Sequence, residues 1–163
     1  MIQTTRPQDS PKPRRRLLTA GIRAQAVLNL SDNIASLKNS GRAAEALQAE
    51  HEAIESVLDS LWDAVSAGAS RADVIELLNA TIDFCGTHFA DEEAFMRTCD
   101  YAHLDAHVAA HRQLLATFVA ARRTASGEGL VLAVMDVAEL LDAFHQHVSS
   151  FDAELGTYPI ASS

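Results

Sequence analysis

Proline is nearly missing from this chain: four occur, at Pro7, Pro11, Pro13 and Pro159. Nothing between Arg14 and Tyr158 therefore contains the residue that breaks a helix by removing an N–H and crowding the preceding turn, so long uninterrupted helices are permitted. Cysteine is as scarce. Cys85 and Cys99 are too few for a disulfide scaffold and form no CxxC pair, which fits a reducing compartment. No stretch approaches the ~18 consecutive apolar residues that a membrane span needs. Basic residues are outnumbered, 13 against 22 acidic, for a formal net charge of -9. That balance disfavours nucleic acid as the main partner, because binding phosphates requires a surplus of Lys and Arg on one face. The one basic cluster is Arg14, Arg15 and Arg16. Residues 14 to 26, RRRLLTAGIRAQA, place arginines first and end in a small-x-small pattern, as an export signal does. The apolar part is short and interrupted by Arg23, so a cytoplasmic location is expected and export is the lesser alternative.

What is present suits one soluble domain: 163 residues, 48% of them hydrophobic and 21% charged, are enough for a self-sustaining core. Residues 1–16 combine three prolines with polar residues and the Arg triplet, and this composition predicts a disordered tail. From Leu17 to Asn39 apolar residues return with loose helical spacing, enough for one or two short helices, before Gly41 punctuates the chain. A first long helix is expected from about Arg42 to Ala67, with Leu47, Ile54, Leu58, Leu61 and Val65 inward and Gly68 as its C-terminal cap. Ser70, with Asp73 three residues on, predicts the N-cap of a second helix over Arg71 to Thr98, whose inner row reads Val74, Leu78, Thr81, Cys85, His88, Glu92, Phe95. Gly86 in mid-helix costs roughly 1 kcal/mol relative to Ala, which suggests that a neighbour approaches closely there. A third helix follows over about Ala102 to Thr124, with Leu104, His107, His111, Leu114 or Leu115, and Phe118 inward. A fourth is expected from Leu130 to about Leu155, with Val134, Val137, Leu141, Phe144, Val148 and Phe151 supplying apolar surface. Short connections between four such helices predict an all-α, up-down-up-down four-helix bundle. The division expected is an N-terminal extension over 1–41, the bundle over 42–156 and a tail over 157–163.

Polar residues break the apolar rows at a few positions. His51 replaces a core residue between Leu47 and Ile54. His88 with Glu92, and His107 with His111, stand four apart, so each pair forms a two-toothed chelator on one helix face. Imidazole suits iron, zinc, copper and nickel, while a carboxylate has two oxygens and can bridge a pair of ions. Histidines with one or two embedded carboxylates therefore favour a dinuclear iron centre over a lone zinc. On a straight helix Asp152 shares its face with His145, seven residues back, whereas His147, five back, lies about 140° away. Asp91 and Glu93 are read chiefly as solvated charges, Cys85 as a small buried hydrophobe, His103 as a solvated histidine, and Trp62, Phe89, Phe95 and Phe118 as core.

The order of these residues resembles the hemerythrin family, whose members carry His, HxxxE, HxxxH and HxxxxD over four helices. Here that row reads His51, His88 with Glu92, His107 with His111, and His147 with Asp152. HFADEEAFM is similar to the family's HFxxEExxM, and Tyr101 leads into the two-histidine helix as the family's tyrosine does. The resemblance covers roughly residues 43 to 155. Ala102 stands where the family usually has Pro, Ala143 where it often has Trp, and residues 1–41 do not match the family's short leading arm.

The resemblance implies two iron ions, cycling between Fe2+ and Fe3+, joined by an oxo or hydroxo bridge. One would be held by His107, His111 and His147, the other by His51 and His88, with Glu92 and Asp152 bridging both. It implies His147, not His145, as the ligand on the fourth helix. The second iron would keep an open position, and the expected function is reversible binding of dioxygen for storage, transport or delivery rather than catalysis. The alternatives are a sensor of O2 or redox state acting through the N-terminal extension, and a diiron enzyme handling peroxide or nitric oxide. Oxygen-activating diiron enzymes are richer in carboxylates, which counts against the last.

Overall fold

The computed structural model describes residues 43–127 and 132–155. Four long helices follow one another within them: α1, Ala43–Ser66; α2, Arg71–Thr98; α3, Leu104–Ser126; and α4, Val134–His147. The last runs through a π-helical turn, Val148–Asp152, into a short α-helical piece, α5, Ala153–Leu155. There is no strand among the described residues. α1 packs on α2, α2 on α3, α3 on α4, and α4 back on α1. Short connections impose this ring on antiparallel neighbours, and the chain is an all-α four-helix bundle. No helix among the described residues is long and apolar enough to cross a membrane. The tail and short helices expected up to Asn39 and the C-terminal tail lie outside the described residues, and the fourth helix, expected from Leu130, starts only at Val134, because Leu132 and Ala133 are not helical.

Local chemistry fixes the helix ends. Gly68 has φ +67°, the left-handed conformation that ends α1, and its N–H donates to the Val65 carbonyl at 3.1 Å. Ser70 caps α2 as expected: its Oγ accepts the Asp73 N–H at 3.2 Å, and its hydroxyl donates to Asp73 Oδ2 at 2.7 Å. α3 starts two residues later than the pattern suggests. The turn before it needs Asp100 at φ +49° and carries on through His103, and the helix then runs on to Ser126. α4 starts at Val134, where the Asp136 carboxylate accepts the Ala133 N–H at 2.7 Å.

Gly86 corrects the sequence reading. A Cβ built there meets nothing within 4 Å, so no neighbour approaches. The glycine then contributes only its backbone freedom in the unfolded chain, and Gly86→Ala should raise stability by roughly 0.5–1 kcal/mol. Gly68→Ala should lower it, because φ is positive there. Thermal unfolding of the two variants checks this pair, and a destabilised Gly86→Ala protein would contradict it.

The apolar side chains form two clusters. The larger holds Ile54, Leu58 and Leu61 of α1, Leu78, Cys85 and Phe89 of α2, Leu114 and Phe118 of α3, and Val137, Leu140 and Phe144 of α4. Leu140 lies deeper than the expected Leu141, which only packs against this cluster. Fully burying a Leu, Ile or Phe is worth roughly 1.5–3 kcal/mol each. The smaller cluster is Met96, Tyr101 and Leu155, with the expected inner residue Phe95 only half-buried beside it. Along α2, α3 and α4 the polar interruptions fall between the two clusters: His88 and Glu92 between Cys85 and Met96, His107 and His111 between Leu104 and Leu114, and His147 and Asp152 between Phe144 and Leu155. The fold thus places one polar layer between two dry ones.

Candidate metal centre

Each helix contributes to that layer through its own period. On α2 and α3 the spacing of four carries His88 with Glu92 and His107 with His111 on the buried face. On α1 a single histidine, His51, takes the place of an apolar residue. The fourth helix solves its problem differently. The Ala153 N–H bonds to the Val148 carbonyl, five residues back, so the chain makes one wide turn. That turn brings residues five apart over one another, and His147 Nε2 lies 3.1 Å from Asp152 Oδ1. Straight-helix geometry favours His145 only because it assumes no such turn. His145 instead points outward, with Nε2 3.1 Å from Glu55 Oε1.

The seven residues named in sequence converge. Their donor atoms fall into two groups, Glu92, His107, His111, His147 and Asp152 in one and His51, His88, Glu92 and Asp152 in the other; within each group they lie within 4.8 Å of one another. The two carboxylates belong to both groups. Glu92 Oε2 is 3.2 Å from His111 Nε2 and 3.6 Å from both His88 Nε2 and His107 Nε2. Asp152 Oδ1 is 2.9 Å from His107 Nε2, and its Oδ2 is 3.1 Å from His51 Nε2. All but His51 are buried, and its side chain is only 14% exposed.

Four of these buried atoms, three imidazole nitrogens and one carboxylate oxygen, have no well-directed hydrogen bond: His51 Nε2, His88 Nε2, His147 Nε2 and Asp152 Oδ2. Buried polar atoms in that condition are costly, and lone pairs converging on common points are what cations satisfy. Five imidazole nitrogens and two carboxylates make a donor set suited to first-row transition metals. The residues fit a metal site.

Without metal, the layer is held by proton-mediated pairs. Burial alone would raise the Asp152 carboxyl, but the imidazoles of His107, His147 and His51 beside it outweigh burial and hold it far below the usual range. Burial opposes ionisation of Glu92 too, and His107, His111 and His88 bring it down to about 2. Burial would lower His107; Asp152 and Glu92 instead raise it to about 9. His51 is raised by the same balance, chiefly against burial by Asp152. The signs give a window. Stability from the two carboxylates is present above their ordinary range and lost in acid; stability from His107 is full below its ordinary 6.5 and lost as pH rises through about 9. Metal-free protein should therefore be most stable near pH 5–6 and lose a few kcal/mol towards pH 9–10. Metal uptake must release protons and tighten with rising pH. Thermal unfolding of the metal-free chain across pH 5–10 checks this, and a flat profile from 6 to 10 would contradict it.

Around the seven stand residues of mixed legibility. Glu50, not singled out in sequence, is 3% exposed, and His88 Nδ1–H donates to its Oε2 at 3.0 Å. Its place was visible in the period of α1, three after Leu47 and four before Ile54. Glu93 is shared: Arg97 donates to it at 2.8 Å, and His111 Nδ1 lies 3.4 Å from its other oxygen. Phe89 is core, and its ring also stacks on His111, centroids 4.0 Å apart. Phe151 stacks on His147 at 5.3 Å. Burial pushes the Cys85 thiol up to about 12, which suits a small buried hydrophobe and not a reactive thiolate. His103 is exposed, 3.6 Å from Glu154.

Comparison with known proteins bears on the same stretch. The family model of the hemerythrin HHE cation binding domain matches residues 42–158. A bacteriohemerythrin of Ralstonia nicotianae is 34% identical over 113 residues, which take in 69% of this chain and 79% of that relative. No solved structure gives a significant match. The matched region contains all four helices and every residue of the buried polar layer, and so the chain belongs to the hemerythrin family.

Proposed function

We propose that residues 42–156 form a diiron unit that binds dioxygen reversibly, for storage, transport or delivery, and that residues 1–41 are an appendage to it. The observation that carries this reading is the make-up of the buried layer: three imidazoles on one side, two on the other, and two carboxylates common to both. His107, His111 and His147 would hold one iron, His51 and His88 the other, with Glu92 and Asp152 reaching both. When bound, the ferrous pair supplies two electrons and, on the side with one imidazole fewer, a position for a small ligand.

The chain's own residues set the conditions. The large apolar cluster, with Phe89 and Phe144 against the imidazoles, keeps water and larger reactants out. His51, the least buried of the seven, marks the side nearest solvent. Five imidazoles against two carboxylates favour binding over the oxidation of a substrate, since oxygen-activating four-helix diiron proteins are richer in carboxylates.

The test is spectroscopic. Protein loaded anaerobically with ferrous iron should gain a visible absorption band on exposure to air and lose it on degassing, over repeated cycles. Irreversible bleaching, or zinc binding with no colour, would contradict the proposal. A chain starting at Gly41 should give the same O2 affinity, whereas a tenfold shift would favour the sensor, because coupling between docking and ligand binding is reciprocal.

A further inference from the structure

Glu50 is a carboxylate that the seven-residue set does not use. It sits on α1 beside His51, is 3% exposed, and accepts the Nδ1–H of His88 from α2 at 3.0 Å. A buried carboxylate is expensive unless it is put to use, and an apolar residue would fit the surrounding row of Leu47 and Ile54 more cheaply. What the contact achieves follows from imidazole chemistry. With its proton fixed on Nδ1, His88 presents the Nε2 lone pair inward, where Nε2 stands 3.6 Å from Glu92 Oε2. A carboxylate behind an imidazole also makes the ring a stronger donor.

The other half of the layer has a weaker counterpart. Glu93 lies 3.4 Å from His111 Nδ1, its side chain is 21% exposed, and Arg97 shares its charge at 2.8 Å. Solvent and the guanidinium both dilute what Glu93 gives His111. The two halves of the centre therefore differ behind the ligands as well as in their number of imidazoles.

We infer that Glu50 is a positioning residue for one ion only: through His88 it orients and strengthens the donor set of the two-histidine half, compensating for the imidazole that half lacks. The inference rests on the diiron reading. It assigns α1 two tasks at consecutive residues, a ligand at His51 and the support of its neighbour's ligand at Glu50.

The test is anaerobic titration of the full-length metal-free protein with ferrous iron, followed by calorimetry and by iron content after desalting. The parent chain should take up two ions in resolvable steps; failure to do so would sink the diiron reading itself. In Glu50→Gln, which keeps the shape and an acceptor but loses the charge, the first step should be unchanged and the second weakened about 10- to 100-fold. Glu50→Leu should weaken the second step at least as much. Glu93→Gln should shift the step at the three-histidine half by less than about fivefold. A merely structural role for Glu50 would shift both steps together, and that result would overturn the inference. So would a Glu50→Gln protein whose second step matches the parent's.

Discussion

Glu92→Ala should leave a protein that binds almost no iron, where the proposed diiron centre of the parent chain would take up two ions. The reason is position. Glu92 is 1% exposed, and one of its oxygens lies within 3.6 Å of imidazole nitrogens from both donor groups, His88 on α2 and His107 and His111 on α3. Removing a terminal ligand would weaken one ion. Removing a residue common to both groups takes a donor from each and leaves Asp152 to hold the pair together. The bundle itself should survive, since the large apolar cluster does not include Glu92. Elemental analysis after anaerobic loading and desalting, with helical content as a control for folding, gives the answer. A folded Glu92→Ala protein that retains two irons would show that Glu92 does not bridge.

On the fourth helix, His147→Ala should abolish the oxygenated spectrum, and His145→Ala should leave it nearly intact. The two residues are separated by one position in sequence and by the whole thickness of the helix in environment. His147 is buried, with its Nε2 3.1 Å from Asp152 Oδ1 and its ring stacked on Phe151. His145 is half-exposed and pairs with Glu55 across the surface between α4 and α1. The π-helical turn over Val148–Asp152 makes the difference, because it shifts Asp152 onto the face that carries His147. Spectra of the two variants, recorded in air and after degassing, decide it; loss of the band in His145→Ala alone would mean that the turn does not form when metal is bound.

The same turn marks where the sequence stops being legible. The boundaries of α2, the caps at Ser70 and Gly68 and most of the inward faces of α1 to α3 follow from a single period of 3.6, although Met96, and not Phe95, closes the buried row of α2. Periodicity cannot announce a one-residue widening of a helix, so on α4 it pointed to His145; Leu140 and Leu141, ahead of the turn, both fit the spacing of threes and fours from Val137 to Phe144, and the structure buries Leu140. Only the family's five-residue spacing carried the information that the turn embodies. Glu50 was hidden for another reason. It stands beside His51, and a charged residue next to an inner-row position is normally solvated; its spacing from Leu47 and Ile54 allowed a buried place, but the pairing with His88 shows only once α1 and α2 pack together. Gly86 misled in the opposite direction: mid-helix glycine often marks a close approach, and here the space beside it is open.

Anomalous diffraction at the iron absorption edge, from crystals of the protein loaded anaerobically with ferrous iron, tests the central claim most directly. The account predicts two peaks per chain, one among His107, His111 and His147 and the other beside His51 and His88, with Glu92 and Asp152 between them. A single peak, or an ion held by His145, would contradict it.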